Sequence, residues 1–163
     1  MNTKDDRIKI EPIQKDDLIG YYSLFSDKDI HPYIIENGPL SLEQTKEKLS
    51  NMVKAENHIY LSIKTLIDNK FIGYIGIHNI KASLPAISYG ILKQFQRKKF
   101  CTEAINLLID YQLEHKEFDG FIARTHTPNI KSQNFLEYMN FESMGEVDWD
   151  GEKRLEFRMI FSS

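Results

Sequence analysis

Apolar and polar residues in the first third of the chain predict a short strand followed by two amphipathic helices. The strand is expected from Ile8 to Ile13, and Asp16 or Asp17 offers an N-cap for the first helix. Its apolar face consists of residues at helical spacing: Leu18, Tyr21, Tyr22 and Phe25. Ser41 and Gln44 form a capping-box pattern, which predicts the start of the second helix.

The middle of the chain changes to the alternating pattern of half-buried strands. Three such runs are expected to form an antiparallel meander: Ile59 to Ile63, Phe71 to Ile77 and Ile87 to Leu92. A helix is expected from Phe100 to His115, a strand from Phe121 to Thr125 and a second helix from Ser132 to Met139. Two final strands are expected, from Met144 to Trp149 and from Leu155 to Phe161. This order contains one strand–helix–strand unit, which requires a parallel pair inside an otherwise antiparallel sheet. We therefore predict a mixed α/β (α+β) fold with about four helices flanking one sheet.

Composition narrows the class of protein. The chain has 163 residues and shows no repeat or linker, so we expect a single domain over residues 1–163. Its net charge of −3 argues against a nucleic-acid partner and mildly favours cationic small molecules or peptides. We expect a cytoplasmic protein with no membrane contact. The chain has a single cysteine, Cys101, and it has neither a signal-peptide core nor a long apolar run. The five histidines lack zinc-site spacing, so no metal is expected.

One segment combines a strand end, a basic loop and the start of a long helix. The strand from Ile87 is followed by four basic residues, Lys93, Arg97, Lys98 and Lys99. Free N–H groups at a helix N-terminus bind anions, and the basic side chains add positive charge there. A pyrophosphate group would suit this loop. Basic runs are also commonly no more than solvated loop residues, so the pattern alone leaves both interpretations open.

The same segment resembles motif A of the GNAT N-acetyltransferases, in particular their Rim-type branch, which acetylates protein N-termini. The matching positions are Ile87, Tyr89, Lys98, Thr102, Glu103 and Ala104, with Phe95 and Phe100 at aromatic positions. A second segment resembles motif B of the same family, with Asn129, Ser132, Leu136, Glu137 and Phe141 in register. The resemblance covers both motifs at the family's spacing and implies a GNAT-like sheet that is splayed at its one parallel strand pair.

The resemblance also implies where acetyl-CoA would bind. The cofactor would lie in a V-shaped opening between the two parallel strands, with its pantetheine on the backbone of Ile91 and Leu92. Its pyrophosphate would lie on the loop and helix start formed by Gln96, Arg97, Lys98, Lys99, Phe100, Cys101 and Thr102. The side-chain amide of Asn129 would hold the cofactor, and Asn134 stands where motif B has an arginine.

The chain departs from the family pattern at several cofactor positions. Lys99 replaces the central glycine of the loop, and Asn140 replaces the glycine before Phe141. A lysine at position 99 is accommodated if its φ is negative, and its ammonium would then help to neutralise phosphate or would crowd it. Cys101 takes the place of a small residue, and its position at a helix N-terminus would lower its pKa. Weakened or lost cofactor binding is therefore an open alternative.

The catalytic positions also depart from the family, which often has a glutamate where this chain has Ala86 or Ile122. We take His126 as the first candidate for the general base and His78 as the second, although either is also explained as a surface or capping residue. No protein base is needed if a neutral amine reacts and water takes the proton. Ser132 stands at the position of the Rim-type general acid, and an N-cap role is its alternative.

The sequence thus predicts an acetyl-CoA-dependent N-acetyltransferase that transfers an acetyl group to a primary amine by direct attack. The acceptor is expected to be a peptide N-terminus, a polyamine or an aminoglycoside-like amine, and the protein a monomer or homodimer. An irregular loop from Ser26 to Leu40 and the strand pair near Asp148 would flank the acceptor's entry. Four carboxylates near this entry favour a cation: Asp27, Asp29, Asp148 and Asp150. The alternative is a catalytically silent domain that binds acyl-CoA or a protein partner.

Overall fold

The computed structural model describes residues 7–35 and 37–161. Within them, the seven strands are β1 (Ile8–Pro12), β2 (His58–Thr65), β3 (Phe71–His78), β4 (Ala86–Ile91), β5 (Gly120–His126), β6 (Glu142–Trp149) and β7 (Glu152–Ile160). The four α-helices are α1 (Leu18–Ser26), α2 (Leu42–Lys54), α3 (Phe100–His115) and α4 (Ile130–Tyr138). The element order is the predicted one. In the described residues, no helix has the length and apolar character that crossing a membrane would require.

The strands form one sheet in the order β1-β2-β3-β4-β5-β7-β6. Only β4 and β5 run parallel, and every other neighbouring pair is antiparallel. Helix α3 connects the parallel pair, because parallel neighbours need a crossover and cannot be joined by a hairpin. The predicted mixed sheet with one parallel pair and four helices is confirmed.

The parallel pair is joined only over a short stretch. Its register consists of Ala86 opposite Ile122 and Ile87 opposite Ala123. The other edge of β5 pairs with β7 over the whole length of β5, from Gly120 to His126. Beyond Ile87, strand β4 therefore has no ladder with β5, and the two strands diverge into an opening.

Two clusters of buried side chains hold the helices against the two faces of the sheet. The larger cluster packs α3 against the sheet through residues such as Leu108, Ile75 and Phe121. The second packs α1 and α2 against Tyr74. Tyr74 and Ile75 are consecutive residues of β3, and consecutive side chains of a strand point to opposite faces. The two clusters therefore lie on opposite faces of the sheet. The opening between β4 and β5 lies within the sheet, between these two layers of packed side chains.

The two predicted helix starts have different outcomes. At α2, Ser41 and Gln44 each accept the other's backbone N–H, so the predicted capping box is confirmed. At α1, Asp17 is the N-cap residue, as predicted, but its side chain makes no capping bond to the helix. Its carboxylate lies 2.8 Å from Lys64 Nζ and accepts a hydrogen bond from the Ser62 hydroxyl. A buried ammonium requires a charged partner, and the Lys64 site takes the carboxylate away from the helix.

Candidate active site

A cavity of about 470 Å³ occupies the opening between β4 and β5. Its walls include ten of the residues predicted for the cofactor or the chemistry: Ile91, Gln96, Arg97, Lys99, Phe100, Cys101, Thr102, His126, Asn129 and Ser132. Leu92, Lys98, Asn134 and His78 were also predicted, and they lie outside this lining. Within residues 7–35 and 37–161, no cluster of His, Cys, Asp and Glu side chains is arranged to hold a metal ion.

The exposed edge of β4 presents backbone groups to this cavity. The Ile122 N–H donates to the Pro85 carbonyl at 3.0 Å, so Pro85 points toward β5. The backbone N–H and C=O groups of successive strand residues point to alternate sides. Those of Tyr89 and Ile91 therefore also point toward β5, beyond the end of the β4–β5 ladder. Gln96 Nε2 donates to the Ile91 carbonyl at 3.0 Å. The edge at Tyr89 and Ile91 is therefore suited to pair with an extended chain in the opening.

Leu92 does not have the backbone role expected for it. Its N–H points the other way and donates to the Ile72 carbonyl at 2.9 Å. Its side chain is buried in the second core cluster. Since a backbone N–H that is already paired inside the sheet is not offered to a ligand, only the Ile91 half of the predicted pantetheine contact fits the structure.

The loop before α3 has an unusual backbone. Arg97 has a φ of 60° and Lys99 a φ of 63°, so both residues are left-handed. We expected Lys99 to fit this position with a negative φ, and that expectation is wrong. Glycine adopts this conformation without steric cost, whereas lysine must be held in it by its surroundings. The turn leads directly into α3, and the first three residues of the helix, Phe100, Cys101 and Thr102, line the cavity. The first N–H groups of a helix have no partner within it.

Arg7, the residue before β1, holds this loop in place. Its Nη2 donates to the Lys98 carbonyl at 2.9 Å and to Glu103 Oε2 at 2.7 Å. Its guanidinium also lies 4.3 Å from the centre of the Phe100 ring. The side chains of Arg97, Lys98 and Lys99 remain exposed to solvent. Arg7 thus holds the backbone of the loop, while the positively charged side chains of the loop remain accessible to an anion.

A further cation, not foreseen from the sequence, stands at the same opening. Lys131 lines the cavity, and its ammonium donates to Gln96 Oε1 at 3.2 Å. Lys131 is the second residue of α4, and its sequence neighbours give no charge pattern that would single it out. Its contact spans 35 residues of chain. Together with the loop it gives the opening the charge that a phosphate group requires.

Cys101 has the opposite electrostatics from those expected. Burial raises the pKa of its thiol to about 12, although the residue lies in the first turn of α3. The expected lowering by the helix terminus is therefore wrong, because desolvation of the thiolate outweighs the helix dipole. The thiol stays protonated at neutral pH and serves as a small wall residue of the cavity.

Ser132 forms a hydrogen-bonded pair with Tyr89 across the cavity wall. The two hydroxyl oxygens are 2.8 Å apart. Asn129 is the N-cap of α4, since its Oδ1 accepts the Ser132 N–H at 3.2 Å. The alternative N-cap role for Ser132 is therefore wrong. Burial raises the pKa of Tyr89 well above its usual value, so the phenol stays protonated and can donate to Ser132 Oγ.

His126 ends β5 and packs edge-on against Tyr33, with the ring centres 5.8 Å apart. Burial lowers its pKa, and the nearby Arg154 adds to this effect. The imidazole is therefore neutral at physiological pH and can accept a proton. His126 is the first candidate base of the sequence analysis, and it lies in the lining of the cavity.

His78 lies behind the wall of the cavity. Its Nε2 is 2.7 Å from Ser88 Oγ, and its Nδ1 is 3.1 Å from the Nδ1 of His58. Ser88 lines the cavity, whereas His78 does not. Burial lowers the pKa of His78 to about 4, with a further contribution from His58. A group with so low a pKa is a weak base at neutral pH, which favours His126 for that role.

A second cavity, of about 400 Å³, adjoins the first. Tyr33, Ile34, Arg124 and His126 line both. The remaining walls come from the loop after α1 and from the β6–β7 hairpin, the two segments expected to flank the acceptor's entry: Pro32, Ile35, Trp149, Asp150, Glu152 and Arg154. Asp29, one of the carboxylates expected near the entry, lines the first cavity and forms an exposed ion pair with Lys93 at 2.7 Å.

The sequence model for the acetyltransferase (GNAT) domain matches residues 7–142. This span covers most of the chain, and the protein therefore belongs to the GNAT acetyltransferase family. A comparison with curated protein sequences finds no significant match.

Solved structures share the fold at low sequence identity. A GNAT-family acetyltransferase from Bacillus anthracis aligns with a TM-score of 0.83 and 18% identity, covering 96% of each chain. The ribosomal-protein-S5-alanine acetyltransferase from Vibrio fischeri gives a TM-score of 0.76 and 19% identity, covering 97% of this chain and 95% of its own. Spermidine N-acetyltransferase from Vibrio cholerae, in complex with CoA and spermine, gives 0.80 and 14%, covering 94% and 95%. The neighbours thus include Rim-type and other GNAT proteins.

Proposed function

We propose that this protein is an acetyl-CoA-dependent N-acetyltransferase that transfers the acetyl group to a primary amine by direct attack. The observation that carries the proposal is that a single cavity is lined by the basic left-handed loop, by His126 and by Ser132. The residues fit the cofactor chemically, since helix N–H groups and cations suit its phosphates and the open β4 edge suits its extended arm. The CoA-bound neighbour supports the same assignment.

Acetyl-CoA would supply the acetyl group as an activated thioester. His126, neutral at physiological pH, accepts the proton that the acceptor amine loses as its nitrogen bonds to the acetyl carbon. Ser132 Oγ donates a proton to the sulfur as the carbon–sulfur bond breaks, while Tyr89 keeps its own proton and donates a hydrogen bond to Ser132 Oγ. Solvent then takes the proton from His126 and returns one to Ser132. His126 and Ser132 remove and supply one proton each, so the products are the amide and the free thiol.

Ligand binding and turnover test the proposal separately. Acetyl-CoA at 100 times its Kd should stabilise the protein by about 2.7 kcal/mol. For a domain of this size, the melting temperature should rise by about 5–10 °C. Thiol release should then depend on an added amine when peptides, polyamines and amino acids are supplied. Binding without amine-dependent release would instead support the silent acyl-CoA-binding domain, and no thermal shift at millimolar acetyl-CoA would refute both.

A further inference from the structure

The second cavity carries a polar strip formed by two neighbouring strands. In the β5–β7 ladder, Arg124 lies opposite Glu156, and His126 lies opposite Arg154. Arg124 and His126 are two residues apart on β5, so they share a face of the sheet with their partners on β7. Directly opposite residues of an antiparallel pair have Cβ atoms roughly 4.5–5.5 Å apart. The proposed base therefore has an arginine as its immediate neighbour.

The two arginines are half-buried in the wall of this cavity. Their side chains are only 22% and 17% exposed, whereas Glu152, the ion-pair partner of Arg154, is 64% exposed. Asp150, the other carboxylate of the lining, is also exposed. Exposed carboxylates are screened by water and salt, while a charge in a partly desolvated wall acts more strongly on a ligand. The cavity therefore presents guanidinium groups in its wall and carboxylates at its rim.

Hydrogen bonding within the strip leaves donor capacity on both arginines. Arg124 uses Nε and Nη2 toward Glu156 Oε1, both at 3.2 Å, and its guanidinium stacks 4.0 Å from the centre of the Trp149 ring. Arg154 reaches Glu152 through Nη1. A guanidinium has several further N–H donors in a fixed planar arrangement that matches a carboxylate. Glu156 and Trp149 thus hold Arg124 in place, and Arg154 pairs with a rim carboxylate that a ligand can replace.

We propose that the second cavity binds a carboxylate of the acceptor through Arg154, assisted by Arg124, and that the acceptor is an amino acid. This inference rests on the proposed function, because it takes His126 as the group that receives the proton of the amine. Since Arg154 lies opposite His126, the amine and the carboxylate of the acceptor are separated by few bonds. A polyamine offers no anion for these arginines. The volume of about 400 Å³ suits a molecule of amino-acid size.

The test compares amino acids with their amides, which lack the carboxylate charge. Acetyl-CoA-dependent thiol release is measured for glycine, methionine and phenylalanine, for the three amides and for spermine. Arg154→Gln should lower kcat/KM for the acids relative to the amides roughly 10- to 100-fold, the size of one charge-assisted interaction. Loss of Arg154 also changes the pKa of His126, but that change acts on acids and amides alike. The matched control is Lys153→Gln, which removes the same charge from β7 at an exposed residue that lines neither cavity and should affect acids and amides alike.

A binding measurement separates this inference from the proposed function. The CoA-saturated protein is titrated calorimetrically with N-acetylphenylalanine and with its amide, and the acid should bind more tightly in the unmodified protein but not in Arg154→Gln. Turnover with no preference for acids, or a preference for spermine, would overturn the carboxylate site and leave the transferase standing. Selective binding of the acid without turnover of any acceptor would support the site and overturn the transferase. Equal binding of acid and amide would overturn the site.

Discussion

Replacing Lys99 by glycine should stabilise the protein, although it removes a side chain. Lys99 is left-handed, with a φ of 63°, and it immediately precedes α3. An L-residue loses about 1–2 kcal/mol in this conformation, and glycine does not. Glycine in turn gains more freedom in the unfolded chain, which costs about 0.5–1 kcal/mol. The net expectation is a stabilisation of about 0.5–1 kcal/mol, or a rise in melting temperature of roughly 1–4 °C.

The neighbouring residue provides the control. Lys98 carries the same charge, is also exposed and does not share the positive φ. Lys98→Gly therefore gains nothing from strain relief and should destabilise the protein by about 0.5–1 kcal/mol. Its carbonyl, which accepts the bond from Arg7, is retained in the variant. The two glycine substitutions should thus have opposite signs, with equal loss of charge.

The assay is chemical unfolding of both variants and of Lys99→Ala, with melting temperature as a second measure. Lys99→Ala keeps the left-handed strain and should be less stable than Lys99→Gly by about 1 kcal/mol. A destabilised Lys99→Gly, equal to Lys98→Gly, would show that residue 99 is not held left-handed in solution. The loop would then present different N–H groups to a phosphate than those described above.

Three further predictions concern chemistry, charge and pH. Ser132→Ala should lower kcat roughly 10²–10⁴-fold and leave acetyl-CoA affinity unchanged, and a fully active Ser132→Asp would exclude the acid role. Arg97→Ala should weaken CoA binding measured by calorimetry more than Lys98→Ala, especially at low salt, and equal losses would place the phosphates elsewhere. His78 has a pKa of about 4 when folded and about 6.5 when unfolded, so its contribution to stability is present above pH 6.5 and is lost as the pH falls toward 4. In urea unfolding, His78→Gln should lose less stability between pH 7 and pH 5 than the unmodified protein. The control is His115→Gln at an exposed position, which should not have this effect. An identical pH dependence of stability in both variants would contradict the burial of His78.

The sequence predicted well those features that depend on near neighbours along the chain. The capping box of Ser41 and Gln44 is confirmed because its two hydrogen bonds join residues three positions apart. The strands were recognisable because alternation of apolar residues follows from the two-residue period of a strand. The single parallel pair followed from the helix between β4 and β5, since only a crossover can join parallel neighbours.

Other features depend on residues that meet only in the folded protein. Asp17 had the right residue type and place for an N-cap, but Lys64, 47 positions away, lies close enough to bind its carboxylate. Likewise, the pairing of Tyr89 with Ser132 spans 43 residues, and nothing in either segment predicts it.

The acceptor side of the site shows most clearly that sequence patterns do not predict which distant residues meet. Alternation could place Arg124 and His126 on one face of β5, but only the register of β7 decided that Arg154 lies beside His126. Burial could not be deduced from the sequence either, and it alone reversed the expected pKa shift of Cys101. Sequence patterns determine local geometry and the direction in which a side chain points. The partner that it meets, and the water that it loses, are decided by the packing of distant segments.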